Sequence, residues 1–472
     1  MKKWIFAVWL FGAVTANAQH QELSEKVNMY KGNKEELMDT TSLLSAFKRG
    51  HFNGHFRYFF MSTQNESGLA DYYANAVGGG LRYETANFHG FRFAVSGFYT
   101  FNIGSSNFAE LDAVTGQPNR YELALFDLED PANKKDIDRL EELYIKYAYK
   151  KSTLTLGRQL LNTPFVNLQD GRMRPTGVEG FWLESDQLKK THIQGGWLYA
   201  ISPRGSTKWF DIGRSIGVFP VGVDDDGNKS GYKEQVKSNG ILIFGIQHQL
   251  HKNISVQAWD VLVKNVMNTQ LLQTDVVFPT VNQGQLYAAA QLVAQQAIKN
   301  GGNPDPSKTY INKGTTSLSF GAKAGYKKKR IDASIQYNRI TAQGRYLMPR
   351  EWGREPFFTF LPRERNEGAG DMHAVVLKFT YNLPENRIKT SIAGGYFDMP
   401  DVLNYRMNKY GLPSYTQLNT DIRYEFDGMM KGLEAQFLWV VKGKVGETYH
   451  NKRYEFNKVN MSNFNFVLNY HF

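Results

Sequence analysis

Between His51 and Phe472 the side chains alternate with a period of two, and this constrains the fold more than any other feature of the chain. Phe91, Phe93, Val95, Gly97, Tyr99, Phe101 and Ile103 alternate with Arg92, Ala94, Ser96, Phe98, Thr100 and Asn102. The final segment repeats the pattern, with Phe464, Phe466, Leu468, Tyr470 and Phe472 set against Asn465, Val467, Asn469 and His471. Leu433 to Val441 and Leu318 to Tyr326 do the same. Successive strand residues point to opposite faces, so each segment has one greasy and one polar face. A soluble sandwich alternates too, but these runs reach roughly 10 to 15 residues, against the usual 5–6. Aromatics gather near the run ends, as interfacial girdles require. In hydrocarbon every backbone polar group must be paired, so a closed all-β, transmembrane antiparallel barrel is the expected fold. The mean hydropathy of −0.46 fits, because averaging over a greasy and a wet face cancels both.

The front of the chain carries an address. Lys2 and Lys3, the apolar run Trp4 to Val14 and the Ala16-Asn17-Ala18 site read as a Sec signal peptide over 1–18. Cleavage after Ala18 leaves 54 basic and 45 acidic residues, a charge of +9. Residues 19–49 read as a polar, partly helical periplasmic lead-in, and 50–472 as the barrel with its loops. The expected location is the bacterial outer membrane. Expected partners are outer-membrane lipid, lipopolysaccharide and, through the terminal Phe472, the barrel-assembly machinery, with the chain a monomer or trimer.

Tight turns are predicted near 87–89, 150–152, 188–190, 251–253, 327–329, 384–386 and 429–431. Longer outer segments are predicted at 61–73, 104–137, 162–176, 203–235, 266–311, 345–369, 400–414 and 446–458. These join 16 strands, and an extra hairpin within 203–235 or 345–369 would make 18. Within 266–311, the alanine- and glutamine-rich run Leu286 to Lys299 predicts a helical lid or partner site, stopped by Asn300-Gly301-Gly302.

A barrel of this size is too wide for side chains to fill, so it encloses an aqueous path. Arg57, Arg82, Arg92, Lys323, Lys378 and Arg423 fall on polar strand faces. A basic residue facing midplane lipid would cost ~2–4 kcal/mol, so these are expected to line that path. Two segments are dense in charge and proline. One runs from Gly157-Arg158-Gln159 through Asp170, Arg172 and Arg174 to Glu179; the other holds Arg350, Arg354, Glu355, Arg363, Glu364, Arg365 and Glu367. Alternating Arg and Glu suggests either rigid inward loops that orient a carboxylate-bearing or zwitterionic solute, or self-paired surface loops.

The run LEELYIKYAYKKSTLTLGRQLLNTPFVNLQDGRMRPTGVEGFWLES, starting at Leu140, resembles the OprD family of bacterial outer-membrane porins. So does the earlier GHFRYFF and GGGLRYETANFHGFRF. The resemblance implies an 18-stranded barrel narrowed by inward loops, with an arginine ladder facing acidic groups, that passes small water-soluble molecules. It carries Arg158, Asp170, Arg172 and Arg174 over as constriction residues. Arg57, Arg350, Arg354, Glu355, Arg363 and Arg365 are assigned to the same constriction on local character. A substrate-selective diffusion channel without cofactor or metal is the leading expectation.

Other signals weigh less. A barrel phospholipase or protease would need a catalytic cluster at one rim, and His192, His248 and His251 have no placeable serine partner. An adhesin using the long outer loops is a further alternative. Asp224-Asp225-Asp226-Gly227-Asn228 has calcium-like oxygen ligands but no closing glutamate. The absence of cysteine excludes disulfides and thiolate chemistry. A net charge of +11 spread through alternating strands is not the concentrated basic stripe that nucleic-acid binding uses.

Overall fold

The computed structural model describes residues 39–133, 135, 137–168 and 172–472. The expected signal peptide, the start of the lead-in and Asp170 lie outside the described residues.

One antiparallel sheet closes on itself. Its first seven long strands are β1 (His51–Gln64), β2 (Tyr72–Glu84), β3 (Phe91–Ser105), β4 (Asp138–Tyr149), β5 (Ser152–Gln159), β6 (Gly177–Ser185) and β7 (Thr191–Ser202). Next come β8 (Ile241–His251), β9 (Ile254–Val263), β10 (Met267–Pro279), β11 (Gly284–Ala297), β12 (Thr316–Lys328) and β13 (Ile331–Ile340). The last five are β14 (Met372–Leu383), β15 (Ile388–Asp398), β16 (Tyr415–Glu425), β17 (Leu433–Lys444) and β18 (Met461–His471). Phe210–Asp211 adds a two-residue extension beside β7. β1 pairs with both β2 and β18, which leaves no open edge at the seam.

Eight short turns lie at one end, the periplasmic end of such barrels. Nine connections lie at the other: L1 (65–71), L2 (106–137), L3 (160–176), L4 (203–240), L5 (264–266), L6 (298–315), L7 (341–371), L8 (399–414) and L9 (445–460). All seven predicted turns are present. The lead-in ends in a short helix, α1 (Leu43–Lys48), which sits on the β2–β3 turn: Ala86 N donates to Ala46 O at 3.0 Å.

Two expectations are corrected together. Leu286 to Lys299 is not a helix, and 266–311 is not one outer loop. The segment holds L5, β10, the turn 280–283, β11 and the start of L6. The missing hairpin lies here and not in 203–235 or 345–369. Alanine and glutamine favour helix intrinsically, but propensity is a weak prior. Pairing along the whole length of β11, to β10 on one side and β12 on the other, overrides it. Alternation persists in the run: Leu292 and Ala294 face outward, while Gln291, Val293 and Gln295 face inward and are buried. The inward glutamines hold L7. Gln295 Nε2 donates to Leu347 O (2.7 Å), and Gln291 Nε2 donates to Pro356 O (3.1 Å).

On this register Leu292→Arg places a charge in lipid. It is expected to cost ~2–4 kcal/mol in urea titrations of the protein in phospholipid vesicles. On an outer-loop helix the same change would stay within about 0.5 kcal/mol.

Candidate functional site

The inner wall is divided by height. Towards the outer ends its residues are apolar: Phe59 and Met61 on β1, Ile241 and Ile243 on β8, Val261 and Val263 on β9. Towards the periplasmic ends the same faces carry polar residues such as Gln247, Gln249, Lys378 and Arg423. Loops fold in wherever the wall is apolar, because burying that surface contributes ~25 cal/mol per Å². Phe165 and Val166 of L3, Ile212 and Ile216 of L4 and Leu347, Met348 and Trp352 of L7 form one buried cluster with the wall. Tyr121, Leu123, Leu125 and Phe126 of L2 form a second against β1 and β2. The lumen is therefore narrowed in its outer half and polar below.

L3 and L7 are latched through one residue, Asn167. Asn167 N donates to Trp352 O (3.0 Å), Asn167 Nδ2 to Arg354 O (3.0 Å), and Arg354 N to Asn167 Oδ1 (3.1 Å). Gly353, at φ 140°, lies so close that a Cβ would stand 2.4 Å from Asn167 Oδ1. L4 clamps the same turn of L7: Arg204 donates to Arg350 O (2.7 Å), and Trp352 Nε1 donates to Ser215 Oγ (3.1 Å). Thr176, the last residue of L3, donates from Oγ1 to Glu351 O (2.7 Å).

The C-terminal end of L3, where it enters β6, is held by an ionic node on β4. The β3–β4 register slips between Ser96–Glu142 and Gly97–Leu140, leaving Glu141 as a bulged residue. Both Glu141 and Glu142 consequently turn inward and are buried. Arg174 donates from Nε to Glu141 Oε1 at 2.7 Å and from Nη2 to Oε2, the forked geometry guanidinium favours. Its Nη1 meets His55 Nδ1 at 2.8 Å, and its plane lies 4.4 Å from the Phe98 ring centroid. Because arginine only donates, His55 Nδ1 is the acceptor and Nε2 carries the proton towards Asn469 Oδ1 (3.1 Å). His471 stacks on His55 at 4.5 Å. Arg139 donates to Glu141 (2.7 Å) and to Pro175 O (2.6 Å). Arg57 and Arg172 are buried beside this node.

L7 spends most of its charge on itself and the wall. Arg350 pairs with Glu367, lies 4.0 Å from Glu364 and stacks 3.8 Å from the Tyr410 ring centroid. Glu364 binds Lys442 Nζ of β17 (2.9 Å) and Arg120 of L2 (2.9 Å). Burial pushes the Glu364 carboxyl up, but Arg120, Lys442 and Arg350 outweigh it and hold the group well below the usual carboxylate range. Arg363 donates to Asn463 (2.8 Å) and Asn465 of β18, and Arg365 to Arg350 O (3.1 Å) and Gly353 O. Glu355 differs. Its Oε1 accepts from Asn366 N (2.8 Å), while its buried Oε2 has no partner among the described residues. Burial raises its carboxyl from an ordinary 4.5 to about 7, against the pull of Arg365.

The predicted site thus divides. Arg57, Arg172 and Arg174 meet at the L3 node. Arg350, Arg363, Arg365 and Glu355 converge within L7 as fastenings, and Arg354 lies over Phe360 (4.9 Å), partly open. Arg158 belongs elsewhere. It shares the outward face with Leu156 and Leu143, pairs with Glu179 at 3.1 Å and stacks 4.6 Å from Trp209. The motif set it beside the loop, but strand parity turns it away from the lumen. Sequence reasoning missed Arg139, Glu141 and His55; adjacent acids in an otherwise alternating strand were the readable sign of the bulge. The triple-aspartate turn satisfies itself: Asp224 Oδ1 accepts from Asn228 N (2.8 Å), and Asp225 binds Arg345 (3.3 Å). His192 binds Asp186 (2.8 Å) in a periplasmic groove that Ser255 also lines, with no hydrogen bond from that serine to His192 among the described residues.

Glu141→Gln would leave Arg139 and Arg174 buried without their shared anion. The expected loss is ~3–5 kcal/mol, read from urea unfolding in vesicles by tryptophan fluorescence. Glu355 supplies a pH dependence. Its raised value means the folded state holds the proton more tightly, so this contribution is complete below pH 4.5 and lost as pH rises through about 7. Glu355→Gln is expected to flatten the unfolding midpoint across that window; an unchanged slope would assign the dependence to other groups.

The comparisons agree with this geometry. The model of the outer membrane porin, OprD family, matches residues 55–348. OccK9 (OpdG) of Pseudomonas aeruginosa aligns with a TM-score of 0.70 at 12% identity, covering 90% of this chain and 99% of its own. OccAB1 of Acinetobacter baumannii aligns at 0.69 and 13% identity, covering 90% and 97%. OpdK of Pseudomonas aeruginosa, solved with vanillate, aligns at 0.68 and 12% identity, covering 90% and 99%. No curated protein matches the sequence. With well over half of its length matched by the family model and a closed 18-stranded barrel of that shape, the chain belongs to the OprD family of outer membrane porins.

Proposed function

We propose that this porin passes small carboxylate-bearing solutes by passive diffusion, selected by cations carried on the strands. The observation that carries the reading is the presence of Arg82, Arg92, Lys323, Lys378 and Arg423 on inward strand faces, with Arg57 inward but buried at the L3 node. Two are already neutralised: Arg82 by Glu84 (3.0 Å) and Glu142 (3.1 Å), and Arg423 by Asp421 (2.8 Å). Lys323 and Lys378 form no ion pair among the described residues. Lys323 lies 4.9 Å from the Phe358 ring centroid at the L7 tip and 5.7 Å from that of Tyr287. A cation between two rings suits an aromatic carboxylate, whose charge meets the ammonium while its ring meets the faces. Vanillate, bound to the related OpdK, has that chemistry.

Purified protein in planar bilayers is expected to give ohmic steps with anion selectivity, as basic linings do. Lys323→Glu with Lys378→Glu should shift the reversal potential towards cations and slow benzoate-type solutes in liposome swelling, leaving neutral sugars unaffected. An unchanged reversal potential would remove these lysines from the selectivity mechanism. A silent bilayer would remove the channel reading itself.

A further inference from the structure

The outer rim between β8 and β12 gathers several exposed cations at the short ends of neighbouring strands. Two outward-facing arginines elsewhere on the rim are paired: Arg158 binds Glu179 (3.1 Å), and Arg339 binds Asp371 (2.5 Å). In this sector Lys237, Lys264 and Lys299 are exposed, with no ion pair among the described residues. Their backbones are locked together. Lys237 N donates to Gly302 O (2.7 Å), Lys264 N to Gly240 O (3.1 Å), Ile298 N to Val266 O (2.8 Å), and Asn265 Nδ2 to Lys237 O (3.0 Å).

Depth is set by L5, whose three residues make it the shortest of the outer connections. β9 has 10 residues. At ~3.3 Å per residue and a tilt near ~40° it rises ~25 Å, about the height of the apolar band. The three lysines therefore stand at headgroup level and not on a projecting loop. Just below them the outward face is polar where aliphatic residues would be expected. Asp260 shares a face with the exposed Phe244 and with Gln270, and Asn268 shares one with Gln296. Asn268 Nδ2 donates to Asp260 Oδ1 at 3.0 Å. Asn268 is thereby satisfied, but the exposed amides of Gln270 and Gln296 have no hydrogen bond among the described residues and need a partner with hydroxyls or amides, which acyl chains lack.

We infer that this sector is a docking site for a phosphorylated amino-sugar glycolipid, the lipid A portion of lipopolysaccharide. Phosphates would sit on the Lys237–Lys264–Lys299 arc, and sugar hydroxyls and amides on Gln270 and Gln296, beside the Asn268–Asp260 pair. Phospholipid phosphates fit the lysines alone and leave the amides unmatched. The inference rests on the outer-membrane reading and on nothing about the solute.

The test uses the full-length protein in detergent, native mass spectrometry, bis-phosphorylated lipid A as probe and phosphatidylglycerol as competitor. The wild type is expected to retain lipid A against an equal concentration of phosphatidylglycerol. The triple variant Lys237→Glu/Lys264→Glu/Lys299→Glu should bind it at least tenfold more weakly, with wild-type single-channel conductance. A control pair on a periplasmic turn, Lys150→Glu/Lys151→Glu, should bind as wild type. Undiminished binding by the triple variant, an equal loss in the control pair or displacement by phosphatidylglycerol would each overturn the assignment. Because conductance is recorded on the same samples, loss of the channel reading is seen separately.

Discussion

The seam between β1 and β18 is the contact on which the molecule depends. Ten residue pairs, from His55–His471 to Gln64–Ser462, join the ends of a chain that otherwise runs strand to neighbouring strand. In lipid there is no water to satisfy an open edge, so a sheet of this kind is stable only when closed. Closure also fixes the number of strands, the width of the lumen and the side to which every residue points. A one-residue slip at any pairing would send the aromatic girdle inward and the lumen charges into lipid. The same parity sends Arg158 outward although it sits only a few residues from a loop that narrows the lumen.

Closure leaves a wide interior, and two kinds of force narrow it. Apolar burial draws L2, L3, L4 and L7 onto the outer half of the wall, but burial is non-directional and would tolerate several loop arrangements. The buried ions choose one. Glu141 accepts Arg139 and Arg174 together, and Glu364 takes Lys442 and Arg120 with Arg350 close by. Such pairs add little net stability over a well-packed apolar alternative, yet removing one partner costs ~3–5 kcal/mol. They therefore act mainly on which arrangement is populated, with Asn167 supplying the neutral counterpart between L3 and L7.

Period-two patterning made the barrel, its closure and its seven clearest turns legible, because parity is a local property of the chain. The β10–β11 hairpin was hidden for a physical reason. Ala288 to Ala290 and the surrounding glutamines have helical intrinsic preference, and the pairing that overrides it comes from residues in β10 and β12. In the site, the loop arginines were visible as composition while their partners were not. Glu141 reaches Arg174 across 33 positions, and Lys442 reaches Glu364 across 78. Contacts of that span have no local signature. His55 was unreadable for the same reason, since its neighbours come from L3 and from the last strand.

That distribution of partners bears on where selectivity resides. A cation that already donates to a carboxylate or a carbonyl has little left for a passing solute, and drawing it away would leave a buried acceptor unpaired. Arg350, Arg363 and Arg365 are in that position, which makes them determinants of pore shape. The strand-borne Lys323 and Lys378 are open to the lumen and sit below the constriction, where the wall is polar. On the proposed function, shape and charge recognition would be separated along the pore axis, with loops setting the aperture and strands the field beneath it. A solute would be sorted first by width and then by charge, and loop substitutions and strand substitutions would alter different parameters of the same current.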